Sequence, residues 1–275
     1  MPLYQVVVLA IVQGLAEFLP ISSSAHLTIV PRLLHWEDPG LTFDVALHVG
    51  TLVAVLIYFY RDWIEIIAHG FGMRMGRDRE LQQNPKLLWF LVLGTIPGAI
   101  AGLLFEKQAE HAFRSSYVIG GMLIGVGILM WVADRMTSGR ETLANLTPGD
   151  ALTVGVAQAF AIIPGVSRSG ITIVAGLFRN FERAAAARFS FLLSTPIIAG
   201  AAAKKFWDVH KAGGIPHEMR VPFAVGVLVS GVVGAMVIAL FIKYLRSNSL
   251  RPFVWYRIIF GIIVIALAIF RYTAE

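Results

Sequence analysis

Three ionisable side chains stand where apolar sequence makes them expensive: Glu17, His26 and Arg168. A charge at the centre of a bilayer costs about 2.5–3.5 kcal/mol or more, so one retained there is a candidate for function. Gln13 and Glu17 are four residues apart and share one face if their segment is helical. His26 follows Ser23 by three and shares a face with it on the same condition. The stretch Pro164-Gly165-Val166-Ser167-Arg168-Ser169-Gly170-Ile171-Thr172 carries the parts of an anion cradle. Glycines let backbone approach a ligand closely, and a helix start beyond Ser167 offers free N–H groups and a favourable dipole. Arg168 adds a planar fork suited to phosphate oxygens, and Ser167, Ser169 and Thr172 add hydroxyl donors. The expected ligand is a phosphate. The bland alternative is that Glu17 and Arg168 form only a buried structural ion pair.

Such groups need elements that hold them inside an apolar bundle. The chain has 275 residues, 57% hydrophobic and only 15% charged, with no cysteine. A soluble domain carries roughly a quarter charged residues, so this composition describes an integral membrane protein. Disulfides, thiolate chemistry and zinc–thiolate sites are excluded. The net charge of +6 belongs to membrane-facing loops, and no nucleic acid partner is expected. No basic residue precedes Arg32, so a cleavable signal peptide is not expected either. Six runs are long enough to span a bilayer, near 42–60, 87–105, 117–133, 186–203, 221–242 and 253–270.

Two further apolar regions, 3–34 and 151–178, are each broken by proline and small residues. Helices should stop near Pro20 and Pro164, with Ser22 and Ser167 capping the arms that follow. Bare backbone ends survive at membrane depth only inside protein or along a wet cavity, so both regions are expected to be re-entrant helical hairpins with touching tips. The segments Ser22-Ser23-Ser24-Ala25-His26-Leu27-Thr28 and Ser167-Arg168-Ser169-Gly170-Ile171-Thr172 resemble each other, and three spans follow each. An odd number of spans between copies gives an inverted-topology repeat, 1–140 and 148–275, within one membrane domain. The ladders Gly94, Gly98, Gly102 and Gly226, Ser230, Gly234 are expected to serve internal packing, with a homodimer contact as the alternative. Basic residues favour a cytoplasmic 61–86 segment, with both termini and the mouth of the first hairpin outside.

Gln13-x-x-x-Glu17 followed by Phe18-Leu19-Pro20-Ile21-Ser22-Ser23-Ser24-Ala25-His26, with the Pro164–Ser169 stretch and Phe189-Ser190-Phe191-Leu192-Leu193, resembles the undecaprenyl-pyrophosphate phosphatases of the bacitracin-resistance type. The resemblance covers essentially the whole chain. It implies hydrolysis of a C55 polyprenyl diphosphate to the monophosphate, recycling a lipid carrier for cell-wall synthesis. It also implies a divalent cation, Mg²⁺ or Ca²⁺, and a site in the bacterial inner membrane reached from the periplasmic side. The family has Glu or Gln at the first motif position; here it is the neutral Gln13, which removes one carboxylate from a metal set of Glu17 and Gln13.

Phosphoanhydride cleavage needs charge neutralisation and a positioned nucleophile. Arg168 and the second tip (Gly165, Ser167, Ser169, Gly170, Thr172) would hold phosphate, with Ser22 and Ser24 beside it. His26 is the expected general base, activating Ser23 or a water; alternatively Glu17 is the base and His26 protonates the leaving group. The runner-up function is a transporter or flippase of an anionic lipid, since broken helices meeting at mid-membrane are also carrier architecture. Asp44 and His48 are lesser candidates, and His35, His69, His111, His210 and His217 are expected to be solvated.

Overall fold

A helix between lipid and protein needs no polar stripe, and the long helices here are apolar around most of their circumference. The computed structural model describes residues 1–37, 39–105, 108, 115–211 and 214–272. Among them an isolated bridge between Glu141 and Phe181 is the one strand-like pairing, and the rest of the ordered backbone is helical. Lys107, His111 and Arg114 lie outside the described residues.

The elements follow the expected order. Helix α1 (Leu3–Phe18) and α2 (Ser23–Leu33) form the first interrupted pair. After them come α3 (Gly40–Tyr58), α4 (Tyr60–Gly70), the short α5 (Arg79–Gln83), α6 (Leu87–Leu104) and α7 (Ser116–Met136). The second interrupted pair is α8 (Pro148–Ala159), closed by a 3₁₀ turn (Phe160–Ile162), and α9 (Arg168–Phe178). Three long helices complete the chain: α10 (Arg183–Lys211), α11 (His217–Leu245) and α12 (Arg251–Tyr272). Five helices are long and apolar enough to cross a membrane, and a sixth candidate is the pair α3–α4, which bends by 72° at its break. The expected straight span 42–60 therefore continues past a sharp turn. Helix α4 places Arg61, Asp62 and Glu65 among Trp63, Ile64 and Ile66, an amphipathic pattern unlike the purely apolar α3.

Contacts between the two halves are reciprocal. Helix α1, which opens the first half, packs along α11 of the second; α8, which opens the second half, packs along α6 of the first. The last helices of the two halves, α7 and α12, pack against each other. The small-residue ladders serve these internal contacts. A Cβ on Gly234 would lie 2.9 Å from the Phe18 ring, and one on Gly94 would lie 3.0 Å from the Ala151 carbonyl oxygen. Ser230 donates to the Leu47 carbonyl at 2.9 Å, which fastens α11 to α3. Gly102 differs: among the described residues nothing lies within 4 Å of its Cβ position, and it lines the cavity described below. Phe18 and Phe191 meet edge to face at 5.2 Å in the core beneath the first break. His69 is buried rather than solvated, with its ring nitrogens against the carbonyls of Leu81 (3.1 Å) and Met75 (2.7 Å), and it holds the 71–83 connection in place.

Candidate active site

Proline ends both first arms as expected, and the two breaks have the same local geometry. Helix α1 stops at Phe18, two residues before Pro20; the 3₁₀ turn stops at Ile162, two before Pro164. Ser22 then takes φ 77°, ψ 93°, and Ser167 takes φ 68°, ψ 113°. Each caps the helix it precedes: Ser22 Oγ accepts from the Ala25 N–H (3.4 Å) and Ser167 Oγ from the Gly170 N–H (3.1 Å). A left-handed non-glycine residue costs of order 1–3 kcal/mol and persists only where its surroundings over-determine it. Two of them in equivalent positions mark both breaks as built features.

The breaks touch. Arg168 Nη2 donates to Glu17 Oε1 at 2.6 Å across 151 positions of sequence, and Ser169 Oγ donates to the Leu19 carbonyl at 3.3 Å. Glu17 collects three more neighbours on its other oxygen. Ser23 Oγ donates to Oε2 at 2.7 Å, the Gln13 amide donates at 3.1 Å, and His48 Nε2 stands 3.4 Å away. Glu17 is buried, and charged or polar partners on both oxygens compensate its desolvation. Glu17, Ser23, Ser24, His48, Ser167 and Arg168 line a cavity of about 320 Å³ whose remaining walls come mainly from α6, α8 and α10. Gln158 also lines it, 3% exposed, with both amide atoms lacking a partner among the described residues. Arg168 Nη1 and Gln13 Oε1 are likewise buried without a partner. Buried polar atoms are nearly always hydrogen-bonded, so the free Gln158 and Arg168 atoms at this cavity leave polar groups open to a ligand.

Several expected site residues lie elsewhere. His26 does not reach the cavity: Nδ1 donates to the Ser22 carbonyl at 2.7 Å, and Nε2 pairs with the Tyr256 hydroxyl at 2.7 Å. Its ring stacks on Phe260 at 4.5 Å. A helix places residues three apart about 300° around the axis, and here Ser23 and His26 diverge across that gap, the first toward Glu17 and the second toward α12. The imidazole facing Glu17 is that of His48, whose Nδ1 donates to the Asp44 carbonyl at 2.7 Å. Ser22, Ser169, Gly165, Gly170 and Thr172 also hold the breaks instead of facing the cavity. Thr172 Oγ1 bonds the Arg168 carbonyl (2.7 Å) and Ser190 Oγ (2.6 Å), which anchors α9 on α10. The Gly170 N–H is occupied by Ser167, so this donor of the expected cradle is not free. A Cβ on Gly165, at φ +95°, would lie 2.5 Å from the Ile119 carbonyl oxygen, and this explains the glycine there.

Two further residues at the cavity and its breaks are not singled out by type and spacing alone. Gln158 lies six residues before Pro164, much as Gln13 lies seven before Pro20. Arg257 is a second basic residue within an apolar run. It is fully buried on α12 and bonds to both breaks.

Comparison with known proteins identifies the family. The family described as Bacitracin resistance protein BacA matches residues 6–263. The undecaprenyl-diphosphatase of Moorella thermoacetica is 49% identical over 267 residues, covering 97% of this chain and 98% of that protein. Proteins of the same name from Pelotomaculum thermopropionicum and Desulforudis audaxviator are 47% and 46% identical over 271 residues, each covering 98% of both chains. The Glu17 and Arg168 motifs that meet at the cavity both fall within the matched stretch, and the chain belongs to the bacitracin resistance protein BacA family.

Proposed function

We propose that this protein is an integral membrane phosphatase that hydrolyses undecaprenyl diphosphate to undecaprenyl phosphate and inorganic phosphate. Its near full-length relatives carry the name undecaprenyl-diphosphatase. The observation that carries the reading is a hydroxyl, a carboxylate and a guanidinium joined in one chain of short bonds, Ser23–Glu17–Arg168, at the edge of a cavity. A lipid carrier needs a cationic site for the phosphates but has no use for a serine poised on a base.

The chemistry follows from who touches whom. Ser23 Oγ attacks the terminal phosphorus, and its proton passes to Glu17 Oε2, 2.7 Å away. The bond from that phosphorus to the bridging oxygen breaks, and undecaprenyl phosphate leaves with the electron pair. Glu17 gives up that proton through His48, 3.4 Å away, to the departing phosphate. Water then attacks the serine phosphate as Glu17 takes a proton from it, and the same proton returns to the Ser23 oxygen as its bond to phosphorus breaks, which releases inorganic phosphate and restores Ser23. Arg168 Nη1 and the Gln158 amide are the free donors for the phosphoryl oxygens as charge develops on them. His48 stands beside Glu17 to receive or return the proton, and His26 acts indirectly by holding the Ser22 carbonyl next to Ser23.

The family implies a divalent cation, and the residues fit one held largely by phosphate. Glu17, the Ser23 hydroxyl and the partnerless Gln13 amide oxygen are hard oxygen donors, and Mg²⁺ typically uses one or two carboxylates plus substrate phosphates. Among the described residues no group of three or more His, Asp or Glu side chains is arranged to hold a metal alone. Glu17 is already paired with Arg168, so cation affinity depends on the diphosphate being present. When bound, the cation neutralises phosphate charge.

The reading extends to architecture. Six spans plus two re-entrant pairs form an inverted repeat, supported by the reciprocal packing of α1 on α11 and α8 on α6 and by the matched serine geometry at the breaks. The cavity opens to the periplasmic side of the inner membrane, as the distribution of basic loops favours. The test is phosphate release from undecaprenyl diphosphate by purified protein, with and without EDTA. Release that EDTA stops is expected; no release from the diphosphate would overturn the reading.

A further inference from the structure

Arg257 is the largest fully buried side chain of the described residues, and among them it has no carboxylate within ion-pair distance. An uncompensated buried charge is very costly, so its five hydrogen bonds must serve instead. Nη1 donates to the Pro20 carbonyl (3.1 Å) and Nη2 to the carbonyls of Gly165 (2.8 Å) and Val166 (3.1 Å). Nε and Nη2 also reach the Leu123 (3.2 Å) and Met122 (3.3 Å) carbonyls on α7. The register is the same on both sides: Pro20 lies two residues before Ser22, and Gly165 lies two before Ser167. One guanidinium thus holds the peptide units leading into both left-handed serines, and each serine is followed directly by a residue of the site, Ser23 or Arg168. Space is left for it: a Cβ on Gly170 would lie 3.3 Å from Nη1.

We propose that Arg257 is a positioning residue of the active site, its fork tying the two breaks to one point and so fixing Arg168 and Ser23 on opposite sides of Glu17. This rests on the phosphatase reading. Only a planar fork with donors at separated points spans both breaks; a lysine ammonium is a single point and holds one of them.

The test uses purified full-length protein, undecaprenyl diphosphate, and the variants Arg257→Lys, Arg168→Ala and their double. A misalignment of about 1 Å costs on the order of a hundredfold in rate. Arg257→Lys should therefore lower kcat about a hundredfold, change KM less than about threefold, and melt within a few degrees of the wild type. In the Arg168→Ala background the same change should lower kcat by less than about threefold, because the placement of the second break relative to Glu17 and Ser23 matters through Arg168, which is gone. Wild-type kcat in Arg257→Lys, or losses that multiply in the double variant, would overturn the proposal. Arg257→Gln is the second variant, and if neither it nor Arg257→Lys yields folded protein, Arg257 holds the fold as a whole and the proposal fails. A wild-type protein that releases no phosphate would instead overturn the phosphatase reading.

Discussion

Among its residues, the cavity edge holds a carboxylate whose two oxygens are divided between a serine hydroxyl and a guanidinium. Ser23 hydrogen-bonds one and Arg168 the other, so Glu17 can accept a proton without losing its partner across the breaks. Ser23→Ala should abolish the labelled serine phosphate that a quenched reaction with terminally labelled diphosphate traps in the wild type; full turnover in Ser23→Ala would show that water attacks directly. Gln158→Leu removes two amide atoms that have no partner among the described residues, so it should raise KM by about tenfold, equivalent to one lost hydrogen bond to a charged group, and leave the melting temperature nearly unchanged. An unchanged KM would remove Gln158 from the site. The residues that sequence made legible were those whose type alone is costly in an apolar setting: Glu17 and Arg168. His26 misled because residue spacing cannot say which way a side chain leans when two neighbouring helices offer partners. His48 was obscured because a His–Asp pair at a spacing of four suits an ordinary helix face equally well.

At the scale of elements, breaks are more informative than helices. Pro20 and Pro164, each followed by a capping serine, located both interruptions from sequence, since proline removes a donor and serine supplies an acceptor. The turn at Phe59 was not legible, because no proline or glycine marks it and the apolar run continues into α4. Its charged residues join a hub that sequence could not pair. Arg188 at the start of α10 bonds Asp62 (2.7 Å) and Asp78 (2.7 Å), with Glu80 at 3.5 Å. Burial raises the Asp78 carboxyl, but the bond and charge of Arg188 outweigh it and hold that carboxyl below its usual range. Arg188→Met leaves three neighbouring carboxylates unpaired, so thermal unfolding in detergent should move down by several degrees. An unchanged midpoint would show that these ion pairs contribute nothing to holding the 62–80 segment against α10.

At the scale of the whole molecule, two halves exchange their opening helices: each first arm packs on a helix of the other half, which brings the two breaks together. Sequence offers only a weak echo between two serine-rich segments, and the reciprocal packing of α1 on α11 and α8 on α6 was not legible, since contacts between distant segments leave no local signature. Orientation is open to a direct test because the chain has no cysteine. The exposed Glu37 serves as the outer probe. Glu37→Cys should react with a membrane-impermeant thiol reagent from outside the cell and Arg77→Cys only after lysis; the reverse pattern would invert the topology. If the two breaks act as one catalytic centre through Glu17 and Arg168, initial rates of phosphate release from undecaprenyl diphosphate by the wild type, Glu17→Gln and Arg168→Ala reveal it. Loss of a preorganised electrostatic partner costs about 10²–10³ in turnover, so each single variant should fall at least a hundredfold while remaining folded. A rate within threefold of the wild type in either one would contradict the account.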